Sequence, residues 1–443
     1  MSESPSRRNF LTSSAASAAG FGMFNILGTR TSRAMIAPRS ALKTPVVALI
    51  GAGGMGRANT NVFIDHKVPV AAVCDVDTSH SGAAADEIEK KQGKRPEVYK
   101  DFRKLLERQD IDAVIIGTPD HWHALPCIHA AEAKKDMYLE KPISHDIHEA
   151  RTMAAACAQH GRIVQVGTWQ RSTAEFVAAL DYVRSGKLGR IVLARAWKTD
   201  DANVGKGQVQ DPPKELDYDF WIGPAEFVPY KGNNCHYTWR WFWNTAAGMT
   251  GDWGVHMIDI ALLGLGKGGD DVALPLEACN YGGKFAYPDD DRTTPDTQLA
   301  VLKYPQAVLQ WETNRRPIDG EHDNGSQFVA ENGNTVTVWR GGWSIKTKDN
   351  QDIEKPANPE GMNGLSAHVK NFLECVESRQ QPRSNIASMA KTTIVCHLIN
   401  ASYLSGGPVR FNPEKLDLEG EAGKSTLAYR RNYRAPWTLP SYI

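Results

Sequence analysis

From residue 44 the chain alternates short apolar runs with amphipathic stretches, a rhythm that predicts strands separated by helices. The apolar runs 44–50, 68–74, 113–117, 137–139 and 163–166 read as strands, with a shorter one near Val98. Helical periodicity fills the gaps over 57–65, 79–92, 102–107, 125–134 and 145–160. Such alternation builds a doubly wound parallel sheet, an α/β arrangement with ligand contacts at the carboxyl ends of its strands. From about residue 167 the rhythm changes to a helix at 174–185 and spaced strands at 191–198, 298–302, 308–312, 327–330 and 335–339. Helices return at 365–378 and 388–404. This second part reads as an α+β domain with an open, largely antiparallel sheet.

The first strand runs into Gly51-Ala52-Gly53-Gly54-Met55-Gly56, which opens a helix. A G-x-G-x-x-G run in that context is a dinucleotide-binding Rossmann signature. Gly51 permits the turn, Gly53 lets the backbone approach a pyrophosphate, and Gly56 allows close helix–strand packing. Unpaired N–H groups at the helix start favour the phosphates. The second strand ends in Asp75, 24 residues beyond Gly51, where a carboxylate accepts ribose hydroxyls and repels a 2′-phosphate. NAD is therefore expected over NADP, with Asp77 the alternative ribose partner. Two further strand ends carry Thr118-Pro119-Asp120-His121-Trp122-His123 and Glu140-Lys141-Pro142. His121 and His123 lack further ligands at metal spacing, so no metal is expected and the loop is read as covering the cofactor cleft. Pro142 restricts Lys141 to extended backbone.

Composition adds limits. Across 443 residues, 51 Lys and Arg balance 51 Asp and Glu, so no bulk field draws the chain to nucleic acid or an anionic membrane. The seven cysteines stand singly, as small buried apolar residues rather than a disulfide framework. Arg7-Arg8-Asn9-Phe10-Leu11 precedes a mildly apolar run, which resembles a twin-arginine export signal over residues 1–37. The expected organisation is that signal, a nucleotide domain at 44–166, a substrate domain at 167–411, and a surface-wrapping tail at 412–443.

Within the second domain, Asp252, His256 and Asp259 would share one face of a helix. A carboxylate beside an imidazole fixes its tautomer, and such a pair suits proton removal during alcohol oxidation. Together, Gly51-x-Gly53-x-x-Gly56, Asp75, Thr118-Pro119, Glu140-Lys141-Pro142 and Asp252-x-x-x-His256-x-x-Asp259 resemble the glucose-fructose oxidoreductase / inositol dehydrogenase / rhizopine-catabolism (Gfo/Idh/MocA) family over residues 45–400. The resemblance implies that Gly54, Met55, Thr118, Pro119, His121, His123, Glu140 and Lys141 border the cofactor. It implies that Lys141 stands beside the reacting hydroxyl, that His256 exchanges its proton, and that Asp252 binds substrate and orients the imidazole. It also implies a Lys141–Pro142 peptide that is often cis. Trp169, Arg171, His236, Tyr237 and Arg240 would flank a cleft for a carbohydrate, on the aromatic face that sugar C–H groups favour. Three functions are compatible with these residues: sugar or polyol dehydrogenation, glycoside cleavage through a transient keto-sugar, and non-catalytic NAD or sugar binding. No nucleic-acid or membrane partner is expected for the mature form, and an open sheet face suits a homo-oligomer, dimer or tetramer.

Overall fold

The computed structural model describes residues 44–354 and 364–443; the expected export signal at 1–37 lies outside them. Strands β1 (Val47–Ile50), β2 (Val70–Cys74), β3 (Glu97–Tyr99), β4 (Ala113–Ile116), β5 (Asp136–Leu139) and β6 (Val164–Val166) form the expected parallel sheet. Their order is β3-β2-β1-β4-β5-β6. β1 therefore pairs with β2 on one side and β4 on the other, and a crevice opens beyond their carboxyl ends. β1, β4 and β5 are buried along their whole length, which is why they read as unbroken apolar runs.

The second sheet contains β7 (Ile191–Thr199), β8 (Glu277–Gly283), β9 (Thr297–Lys303), β10 (Val308–Asn314), β11 (Asn324–Ala330), β12 (Thr335–Trp339), β13 (Gly342–Lys346), β14 (Asp352–Glu354), β15 (Val409–Asn412) and β16 (Asp417–Glu419). Its order is β14-β13-β12-β11-β7-β10-β9-β8-β15-β16, antiparallel except where β7 meets β10. Burial alternates cleanly along β9, with Leu299 and Val301 on the open face. The other face is covered by the helices Ala174–Arg184, Val255–Leu265 and Ile386–Ser405. The last of these is buried at most of its positions because it also packs on Ile147–Gln159 of the first domain. One hydrophobic cluster runs from Val114 and Leu139 through this helix to Ala300 and Leu309.

Two expected boundaries shift. The helix Gly364–Ser378 returns to the first domain, where Phe372 packs edge-on against Phe63 and Tyr138. The break at 411/412 falls inside β15, and β16 follows it onto the sheet edge. The tail is anchored rather than superficial. Arg431 is buried and donates from Nε to Glu149 Oε1 at 2.7 Å and from Nη2 to the His121 carbonyl at 2.6 Å. Tyr433 donates to the same Glu149 oxygen, and Trp437 packs edge-on against Trp122 and stacks on Phe220. Replacing Arg431 by Met strands the Glu149 carboxylate, whose side chain is 0% exposed, without its cation. Urea unfolding should register a loss of about 3–5 kcal/mol, against about 1 kcal/mol for Tyr433→Phe.

Candidate active site

The glycine loop is built as its pattern requires. Gly51 has φ +89° and lies so close to the next strand end that a Cβ would fall 2.5 Å from the Thr118 nitrogen. A Cβ on Gly56 would fall 2.0 Å from the Gly51 carbonyl oxygen, so this glycine seats the helix Gly54–Asp65 against the loop. Gly53 and Gly54 face open space instead. That helix has no side-chain cap and no acidic residue in its first turn, which leaves its leading N–H groups for an anion. An open cradle ending in free N–H donors fits a dinucleotide pyrophosphate.

A cleft of about 530 Å³ extends from this loop, bordered by Gly51, Gly53, Gly54, Met55, Asp75, Thr118, Pro119, Glu140 and Lys141. His236, Tyr237, Trp239 and Arg240 close it from the second domain. Asp75 also braces the loop, accepting from Ala52 N at 2.6 Å and Asp77 N at 2.9 Å. Burial pushes its carboxyl above the usual range, and those two N–H groups oppose the shift. Asp77, the alternative ribose partner, is committed elsewhere. One oxygen caps the helix Thr78–Gln92 and the other lies 3.1 Å from His236 Nε2. Asp77, His80 and His236 bring ligand atoms within 4.8 Å of one another, a grouping the sequence did not suggest.

Glu140 is buried, accepts from Asn59 Nδ2 at 2.8 Å, and ties the loop helix to the end of β5. The next peptide, Lys141–Pro142, is cis. Lys141 Nζ reaches across the domain junction to Asp252, 2.6 Å from Oδ1 and 3.0 Å from the backbone oxygen. Arg240 Nε lies 3.3 Å from the same Oδ1. Burial alone would raise the Asp252 carboxyl, but the two cations hold it at about 2.

Three expectations need correction. Residues Thr250–Gly254 wind as a π-helical turn before the α-helix Val255–Leu265, so the four-residue spacing does not stack Asp252 on His256. Asp252 faces Lys141 and Arg240, while His256 makes no hydrogen bond among the described residues and its Nδ1 is buried without a partner. Packing positions that imidazole instead, with Trp253 and Trp169 ring centroids 6.0 and 6.5 Å away. Burial, followed by the Arg340 charge, keeps it neutral. Arg171 does not line the cleft: it is buried in an ion pair with Asp259 at 2.5 Å and supports the helix from behind. His121 and His123 lie beneath the cleft rather than over it. His123 sets its ring nitrogens 2.6 and 2.8 Å from the Pro142 and Thr118 carbonyls, and His121 faces those of Trp221 and Thr245. Both position loops that the cofactor side needs. Trp169 does flank the site, with Arg340 over its ring. Phe220, Trp221 and Trp239 also line the cleft. Their signal was the density of aromatic residues after Phe220. Arg340 gave none, because it reaches the site from the distant turn between β12 and β13.

Comparison with known proteins follows the same division. A family model for the NAD-binding Rossmann fold of an oxidoreductase family matches residues 46–168, and the model for that family's C-terminal alpha/beta domain matches 191–279. An inositol 2-dehydrogenase of Rubrobacter xylanophilus is 34% identical over 155 residues, 34% of this chain and 43% of that protein. A glycosyl hydrolase family 109 protein of Shewanella baltica is 28% identical over 207 residues, covering 43% of this chain and 45% of that protein. The chain thus spans under half the length of these curated relatives. Among solved structures, a levoglucosan dehydrogenase in complex with NADH and L-sorbose matches with TM-score 0.62 at 17% identity, over 83% of this chain and 99% of that one. The WlbA dehydrogenase from Chromobacterium violaceum, in complex with NADH and UDP-GlcNAcA, matches with TM-score 0.63 at 16% identity over 86% and 99%. At these identities the structures establish a shared fold.

Burial pulls His121 down to about 3 and His123 to about 4, whereas both titrate near 6.5 in an unfolded chain. Unfolding below that value therefore takes up protons. Stability carried by the neutral rings is complete above about pH 6.5 and is lost as pH falls towards 4. Denaturation midpoints should drop between pH 6.5 and pH 5 by up to about 2 kcal/mol per histidine, with a shallower fall in His123→Gln.

Proposed function

We propose that the chain is an oxidoreductase of the Gfo/Idh/MocA family, which both matching family models support, and that it transfers a hydride between a sugar or polyol hydroxyl and tightly held NAD. The observation that carries this reading is the Lys141–Asp252 pair at the cleft mouth, 2.6 Å across, beside a neutral His256. The Gly51–Gly56 loop and Asp75 would hold NAD, which would supply the hydride acceptor. The chain's own residues handle the proton. Lys141, aligned by Asp252, donates a hydrogen bond to the substrate oxygen and stabilises its alkoxide character as the carbon is oxidised. His256 is held neutral, so it can accept the hydroxyl proton and return it in the reverse direction. Arg240, stacked on Trp239, adds a second cation at the same Asp252 oxygen and leaves an aromatic wall for a sugar face.

A second reading, redox-neutral glycoside cleavage, has support from the similarity to glycosyl hydrolase family 109 proteins. Oxidation of a ring carbon acidifies the adjacent C–H, the aglycone is eliminated, water adds, and the hydride returns to the sugar. The twin-arginine pattern at Arg7-Arg8 favours a cofactor recycled in place: a protein exported folded to the periplasm carries its NAD along and finds no soluble pool. The exposed apolar row of Tyr281, Leu299, Val301 and Val308 on the second sheet supports assembly into a homo-oligomer.

Denaturing the purified protein should release NAD or NADH in near-stoichiometric amount. Offering free sugars and aryl glycosides then separates the readings: net NADH with an oxidised sugar supports the dehydrogenase, and aryl release without net NADH supports the glycosidase. Lys141→Met and His256→Ala should each lower turnover by about a thousandfold or more while nucleotide remains bound. Near-native activity in either variant would overturn the assigned roles.

A further inference from the structure

The charge balance around His256 identifies the class of sugar. Among the described residues, Arg171, Arg292 and Arg431 are deeply buried, and each is paired with a carboxylate: Asp259, Asp200 and Glu149. Arg340 is half-buried and has no such partner. Its guanidinium is held between two indoles, 4.4 Å from the Trp169 ring centroid and 4.2 Å from that of Trp253, and the same rings flank His256. Its only hydrogen-bond partner among the described residues is the neutral Gln170 Oε1, 3.3 Å from Nε and 3.0 Å from Nη2. No carboxylate there comes within ion-pair distance of it.

Stacking on two indoles offsets part of the cost of taking a cation out of water but brings no counter-charge, which an ion pair does. The wider site does not make up the difference. Lys141 and Arg240 already share the single carboxylate of Asp252, and Lys198, over the Trp253 ring, is taken by Asp323 at 2.5 Å. Asp252 and Asp323 act on Arg340 through their charge, but each is already in contact with another cation. Gln170 occupies the Nε edge of Arg340, which leaves Nη1 and the second Nη2 hydrogen for a two-oxygen acceptor.

We propose that Arg340 binds an anionic substituent, a carboxylate or a sulfate ester, on the sugar ring presented to Lys141 and His256. This rests on reading the cleft as a sugar site. Overall neutrality of the chain does not oppose it, because the excess of positive charge is local.

The test is equilibrium binding to the full, NAD-loaded protein, followed by tryptophan fluorescence at low ionic strength. Methyl glucuronide and a methyl glucoside 6-sulfate are titrated against neutral methyl glucoside, with turnover measured in parallel. At least one anionic glycoside should bind about tenfold or more tightly than the neutral one, and the stronger of the two identifies carboxylate or sulfate as the partner. Arg340→Met should collapse that ratio towards one, and Arg340→Lys, which keeps the charge without the fork, should leave it intermediate. Thermal melts report whether either variant is folded. Arg190→Met, which removes an exposed arginine, should keep the full ratio. Equal binding of neutral and anionic glycosides by the unaltered protein, or an undiminished ratio in Arg340→Met, overturns the proposal. If neutral sugars are bound and turned over without preference, the hydride-transfer reading stands and only the anion pocket falls. If neither kind binds while NAD remains in place, both fall.

Discussion

The bridge from Lys141 to Asp252 is the contact on which the arrangement turns. One partner stands at the end of a strand in the parallel sheet, and the other on a turn facing the antiparallel one. Desolvating both charges is costly, and the short separation together with Arg240 offsets that cost only if the two domains meet in one fixed register. The shared core provides the register. The helix Ile386–Ser405 is buried against both domains, and the Arg171–Asp259 pair locks the helix that carries His256. The chemistry of the cleft is thus a product of packing well behind it.

The parallel sheet was legible because its signals are local. β1 and β4 are apolar throughout, as is β5 after Asp136, and the glycine loop states its own backbone geometry. Much of the second sheet was legible for the same reason, since β9 and β10 alternate in burial. β8, β13, β14, β15 and β16 were missed. They are short, or they carry glycine and polar residues; β13, β14 and β16 close hairpins, and β15 finds its partner β8 far along the chain. The site followed the same rule. Lys141, Asp252 and His256 stood out as residue types in a motif; the structure puts Lys141 on the cleft wall and in contact with Asp252, with His256 buried between Trp169 and Trp253. Their mutual geometry was not legible, because a π-helical turn alters the angular step on which the Asp252–His256 reading depended. Arg171 and the His121–His123 pair show the reverse error: polar residues near a cleft attracted a binding role, whereas their hydrogen bonds are spent on scaffolding.

A neutral chain can still hold a strongly polarised site. The 51 basic and 51 acidic residues cancel in sum, yet Lys141 and Arg240 both press on Asp252 while Arg340 has no carboxylate in contact. Burial, with the Arg340 charge behind it, keeps His256 uncharged. Aromatic faces insulate the cations from water and from one another, so the field is directed inward.

The first domain is not finished by the first part of the sequence. Its sheet is covered on one side by the helix that carries Phe372, and its helix Ile147–Gln159 carries a carboxylate whose counterion is Arg431. On a ribosome, these partners emerge well after the strands they complete. Until they arrive, the Phe63–Tyr138 face of the nucleotide fold stays uncovered and Glu149 lacks its cation.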